Sequence, residues 1–104
     1  KYQDAIDCFD KAAELGESGE WQLWDSKSYS LYRLDRHQDA LDCIDKAIEM
    51  GGADDEQVIH HKSIVLSNLG KHQDALDYFD KALEIDPVHI ESLNDKQIAV
   101  NQLK

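Results

Sequence analysis

A dozen residues recur three times at one fixed interval, and that interval decides what the chain can fold into. The copies are KYQDAIDCFDKA from Lys1, RHQDALDCIDKA from Arg36 and KHQDALDYFDKA from Lys71, which spaces Ala5, Ala40 and Ala75 by 35 residues. A period of this size belongs to arrays in which one small unit is stacked, because a single unit cannot bury its own apolar face. In the third copy Ala75, Leu76, Phe79, Ala82, Leu83 and Ile85 follow the stripe of one helix face. Each copy is therefore a helix. Asp7 and Lys11, Asp42 and Lys46, and Asp77 and Lys81 stand four residues apart and are expected to pair on its solvated side.

A fainter pattern fills the intervals. Trp24, Lys27, Ser28, Leu31 and Leu34 align with Ile59, Lys62, Ser63, Leu66 and Leu69, and again with Leu93, Lys96, Gln97, Val100 and Leu103. These segments are also helical in period, so a repeat is a helix, a tight turn and a second helix. Gly16, Gly51 and Gly52 supply helix C-termini, and Ser18, Asp54 or Asp55 supply N-caps. Asp86-Pro87 closes the third copy, since the residue before Pro avoids helical geometry. Six helices are expected, at about 2–15, 20–34, 37–50, 55–69, 72–85 and 89–103. They form one domain over 1–104, made of a half unit 1–19, units 20–54 and 55–88, and a half unit 89–104. Ser28 and Ser63 on first helices, and Ala40, Ala47, Ala75 and Ala82 on second helices, are the expected close-contact points.

At this point the chain resembles the tetratricopeptide repeats. Leu69-Gly70-Lys71, Ala75, Phe79, Ala82 and Pro87 follow the order of that family's signature, with Trp24 in the preceding unit. The likeness extends over essentially the whole chain. Departures are the 35-residue period, Gly51-Gly52 in place of an Asp-Pro closure, and Leu31 and Leu66 where the family often has Tyr. The resemblance implies an all-α fold, a right-handed superhelix of stacked antiparallel helix pairs. It also implies that the chain is a piece of a longer array, and that it binds a peptide or protein segment in a concave groove lined by first helices.

Projected onto this sequence, the groove rows are Asp25, His60 and Asn94; Tyr29, Ile64 and Ile98; Tyr32, Ser67 and Asn101; and Arg33, Asn68 and Gln102. The row Tyr29, Ile64, Ile98 is the most distinctive, an apolar stripe flanked by amides and rings. Such side chains either line a groove or pack between neighbouring first helices. Family members that grip chaperone C-terminal carboxylates place Lys and Asn where this chain has Asp25, Tyr29, His60 and Ile64. A carboxylate at Asp25 would repel such a tail.

Charge and the remaining motifs narrow the choice. Twenty-two acidic against eleven basic residues give a net charge of −11, which disfavours nucleic acid and anionic membranes and favours a partner with basic and apolar residues. Cys8 and Cys43 hold equivalent places in stacked units, about 10 Å apart, beyond the roughly 7 Å a disulfide spans. Free thiols and a reducing, cytoplasmic setting are expected. His60 and His61 point about 100° apart on a helix and cannot chelate one ion, so both are expected at the surface. No nucleophile, base and orienter, phosphate loop or metal spacing occurs, so neither catalysis nor a cofactor is expected. A second reading is a spacer or oligomerisation module that assembles through its ends. Ile6, Phe9 and Ala13 at one end, and Leu93, Val100 and Leu103 at the other, are expected to lack a covering helix.

Overall fold

Positions four and three residues apart form continuous apolar stripes along the chain, and each stripe becomes one side of a helix pair. The computed structural model describes residues 1–16 and 20–103, with the backbone alone at residue 90. Among these it contains α1 (Tyr2–Glu14), α2 (Trp21–Arg33), α3 (His37–Ala47), α4 (Glu56–Asn68), α5 (His72–Ile85) and α6 (Ile90–Gln102). All six expected helices are present, each within a residue or two of its expected start. The third ends early: after Ala47 the backbone widens into a turn over Ile48–Gly52, where Gly51 leaves helical geometry at φ 125°. The Ser18 cap falls outside the described residues. Asp55 does cap α4, its carboxylate accepting from the Gln57 and Val58 amides at 2.9 and 3.1 Å.

The tight turns inside the pairs are built alike from different residues. The Arg36 amide donates to the Leu31 carbonyl and the Asp35 amide to that of Tyr32; Lys71 and Gly70 repeat this with Leu66 and Ser67. Both bonds together make a Schellman cap, which needs a left-handed residue just past the helix. Gly70 supplies it at φ 80° and Asp35 at φ 61°, and Asp is among the few side chains that tolerate this conformation.

The chain forms two compact units, Lys1–Ala53 and Asp54–Lys104. In the first, α2 lies against both α1 and α3. Ala40 and Ser28 are fully buried, and the Ser28 hydroxyl donates to the Ala40 carbonyl at 2.8 Å. A hydroxyl that bonds the facing backbone directly marks a contact too close for any larger side chain. Leu31 and Ile44 fill the space beside it, and Phe9 meets Trp24 edge-on at 4.9 Å. Ile6 and Phe9 are thus buried, contrary to the open end expected there, because α2 alone covers that side of α1. Leu34 is also more open than a core residue, since it caps α2 rather than lying on its packed stripe.

In the second unit α5 packs between α4 and α6. Ala75, Phe79 and Ala82 are fully buried, as are Val58, Ile59 and Ser63 of α4. Here the Ser63 hydroxyl turns back to its own helix, at the Ile59 carbonyl.

The repeated acidic residues have a role that spacing within a helix did not indicate. Asp10 of α1 receives Lys27 of α2 at 2.8 Å, and Asp80 of α5 receives Lys96 of α6 at 2.6 Å. The third Asp of a copy and the Lys of the following first helix therefore tie successive helices. Such half-exposed pairs contribute up to about 1 kcal/mol. Meanwhile Asp7 and Asp42 accept from Gln3 and Gln38, and the expected Asp–Lys pairs within one helix are not formed among the described residues. Lys27 also sits 4.9 Å above the Phe9 ring.

Because Ala40 meets Ser28 at direct contact, Ala40→Leu has nowhere to place three more carbons. It should destabilise the chain by about 1–3 kcal/mol, read as a lower urea midpoint with an unchanged slope.

Candidate functional site

The packed stripe of α2 runs through Trp24, Ser28 and Leu31, and a second stripe lies next to it round the helix. It carries Asp25, Tyr29, Tyr32 and Arg33. The first three are half-buried and Arg33 is exposed. The structure draws two further residues to them. Tyr2 of α1 meets Tyr29 edge-on at 6.5 Å, Tyr29 and Tyr32 lie 6.0 Å apart, and His37 of α3 stands 5.5 Å from Tyr32. The Arg33 guanidinium lies 5.2 Å over the Tyr2 ring and donates to the Tyr29 hydroxyl at 3.3 Å. That hydrogen bond, and then the electrostatic influence of the neighbouring Tyr2 phenol, raise the guanidinium's pKa. It is an exposed cation set against the rings of Tyr2 and Tyr29.

Tyr2 and His37 were not singled out from sequence as site residues. The signal was there: they occupy the same place in successive copies of the repeated block, with His72 third. His37 reaches back to α2 across the turn, whereas Tyr2 reaches forward to it from α1.

The second unit treats the equivalent stripe differently. Of its eight projected site residues, Asn68, Asn94, Ile98, Asn101 and Gln102 are exposed, Ile98 at 55%, and Ser67 is half-buried. The Asn68 amide donates to the Ile64 carbonyl at 2.8 Å. Ile64 and His60 are buried, at 9% and 3% exposure. The surface position expected for His60 is therefore corrected. Its Nε2 stands 2.8 Å from the Asp95 carboxylate of α6, and its ring lies 6.1 Å from Phe79 and 5.2 Å from His89. The Nε2 of this buried imidazole is satisfied by a partner 35 residues away, which helical period alone does not reveal, while its Nδ1 is buried with no hydrogen-bond partner among the described residues. Burial holds its pKa below the ordinary value of 6.5, while the Asp95 hydrogen bond and charge pull it part of the way back.

The remaining groups do little chemistry. Cys8 is exposed and Cys43 buried, both as free thiols, and burial pushes the Cys43 thiol up, away from reactivity. Among the described residues, no cluster of His, Cys, Asp and Glu is arranged to hold a metal ion. No helix among them is long and apolar enough to cross a membrane. The rings and one guanidinium at α2 in the first unit, and the exposed amides of the second, are each equipped to bind.

Comparison with known proteins agrees with this geometry. Residues 57–87 match the family described as "Tetratricopeptide repeat". No curated protein matches the sequence. Among solved structures, the first TPR of Spaghetti (RPAP3), bound to the HSP90 peptide SRMEEVD, superposes with a TM-score of 0.90 at 20% identity, over 98% of this chain and 79% of that one. The second TPR domain of human RPAP3, in complex with the HSP70 peptide SGPTIEEVD, gives 0.85 at 17%, over 95% and 81%. YrrB, a TPR protein with an unusual peptide-binding site, gives 0.83 at 26%, over 94% and 50%. The fold is that of tetratricopeptide-repeat domains, an all-α helical-repeat solenoid.

His60 supplies a pH test. A His whose folded pKa is depressed adds stability above its unfolded pKa, and that stability is lost as pH falls through about 6.5 towards the folded value. Thermal unfolding followed from neutral to mildly acidic pH should show a falling midpoint in the native chain. His60→Gln, which keeps a donor for Asp95, should flatten that decline.

Proposed function

We propose that this chain, in which residues 57–87 are a tetratricopeptide repeat, is a protein-interaction module that holds a peptide segment against the open face of α2. The observation that carries the reading is the series of rings Tyr2, Tyr29, Tyr32 and His37, with the Arg33 cation set on the first two. Tyr and Arg are the residue types that concentrate binding energy, because they offer large contact area and directional donors at little entropic cost. Arg33 can donate to peptide carbonyls, and the ring faces can take an apolar side chain. On the second unit the exposed Asn68, Asn94 and Ile98 offer amides and one apolar contact. His60 and Ile64 contribute there as support beneath the surface. The reading is of binding rather than catalysis, and the two free thiols suit a cytoplasmic setting.

Partner chemistry follows from charge. The peptides named with the two RPAP3 domains end in Glu-Glu-Val-Asp, whereas this chain carries a net charge of −11 and has Asp25 on the same stripe as Tyr29 and Arg33. An acidic tail would enter against that field. A segment with Lys or Arg beside an apolar residue would be steered in by it.

Random peptides selected by display on the chain should be enriched in Lys or Arg next to an apolar side chain, and their affinity should fall as salt is raised. Tyr29→Ala should weaken a selected peptide by at least about tenfold, some 1.4 kcal/mol, while costing less stability than Ala40→Leu. Selection of acidic peptides would refute the partner chemistry. Normal binding by a Tyr29→Ala chain that unfolds early would make this stripe a packing surface.

A further inference from the structure

We propose that the start of α6 is a proton-operated latch: two neutral imidazoles, His89 and His60, hold its first two turns in place against α4, and proton uptake releases them. All the groups involved lie within the second unit, at the start of α6 and where it meets α4 and α5.

His89 is the N-cap of α6. Its Nδ1 accepts from the Ser92 backbone amide at 3.2 Å and from the Ser92 hydroxyl at 2.8 Å, and Ser92 is fully buried. A backbone amide can only donate, so this Nδ1 carries no hydrogen and the ring is neutral, with its hydrogen on Nε2. An imidazolium holds a hydrogen on both nitrogens and accepts nothing. On taking up a proton, His89 therefore ceases to cap α6 and instead sets a positive charge at the helix end that favours a negative one.

The second imidazole lies 5.2 Å from the first, ring to ring. His60 donates from Nε2 to the Asp95 carboxylate at 2.8 Å, which leaves a bare Nδ1, buried and without a hydrogen-bond partner among the described residues. Around it α5 presents the Phe79 ring at 6.1 Å and α4 the His61 ring at 6.0 Å. From α6 comes Glu91, whose carboxylate stops 4.0 Å from Nδ1. The turn before α6 adds Asp86, whose carboxylate accepts from the Val88 amide. A proton on Nδ1 would thus be buried with its nearest carboxylate beyond hydrogen-bond reach. Burial accordingly holds the His60 pKa down, against the pull of Asp95. To satisfy the new N–H, Glu91 has to close on it, and Glu91 stands in the first turn of α6, between His89 and Ser92. Both protonations therefore act on one turn. The first removes the bond that begins it, the second draws one of its residues inward, and two cations this close repel each other.

Amide hydrogen exchange by NMR on the 104-residue chain, read as protection from about pH 7.5 to about pH 5 across the imidazole range, tests this. Over that interval the Ser92 amide of the native chain should lose about fivefold more protection than the amides of Phe79 and Ala82 in α5, the change that loss of one N-cap brings. The ring-nitrogen shifts of His89 should move in step with that loss. His89→Asn supplies a cap oxygen that takes up no proton, so its Ser92 amide should track α5 throughout. His60→Gln, which keeps a donor for Asp95, should show only the part of the loss that belongs to His89. A native Ser92 amide that tracks α5, or an equal loss in the native and His89→Asn chains, would overturn the proposal.

Discussion

Two helices can approach closely only where the side chains between them are small, and this chain places such residues at every paired contact. Ser28 against Ala40 is the clearest case, with a hydroxyl bonded straight to the opposing carbonyl. Ala75 and Ser63, both fully buried, hold the corresponding places in the second unit. Once the backbones are that close, Leu31, Ile44, Val65 and Phe79 fill the flanks and are buried there. The Schellman turns at Asp35 and Gly70 then fix how each pair doubles back. The ties from Asp10 to Lys27 and from Asp80 to Lys96 bring in the neighbouring helix.

The core of each pair lies on one stripe, and the two units use the next stripe differently. On α2 it carries half-buried rings and an exposed guanidinium in contact with one another. On α4 the same positions turn inward. His60 bonds Asp95 and Ile64 is covered, so the stripe consolidates α4 with α6 and only Asn68 at its end is exposed. One sequence register thus yields a surface in one place and a support in another. What differs is the size and polarity of the residues opposite: Tyr2 and His37 lie at the edge of α2's stripe, while Asp95 reaches directly over His60.

Much of this was legible in the sequence. The repeated block fixed the number of helices, the Ala and Ser contact points and the position of the turns, because periodicity and small-residue spacing report local geometry directly. Three features were not. The ties from Asp10 to Lys27 and from Asp80 to Lys96 join different helices, so an Asp–Lys spacing of four within one helix drew attention away from them. His60 looked like a surface residue because its satisfying partner lies 35 residues on. Ile6 and Phe9 seemed open because a missing helix was counted, while the cover that α2 alone provides was not. In each case the decisive neighbour is remote in sequence, and helical period carries no information about it. The aromatic cluster was half legible: Tyr29, Tyr32 and Arg33 lie on one stripe, but His37 joins it across the turn and Tyr2 from the neighbouring helix α1.

The central claim is that the open face of α2, and not the acidic outer surface of α3, is where a partner is held. Chemical-shift mapping by NMR tests it most directly, using the isotope-labelled chain and a short peptide with Lys or Arg beside an aliphatic residue. The expected result is that saturable shifts gather on the rings of Tyr2, Tyr29 and Tyr32 and on the Arg33 guanidinium, with Ala40 and Ile44 unmoved. Shifts confined to Asp39, Asp42 and Cys43 on α3, with the tyrosine rings silent, would contradict it.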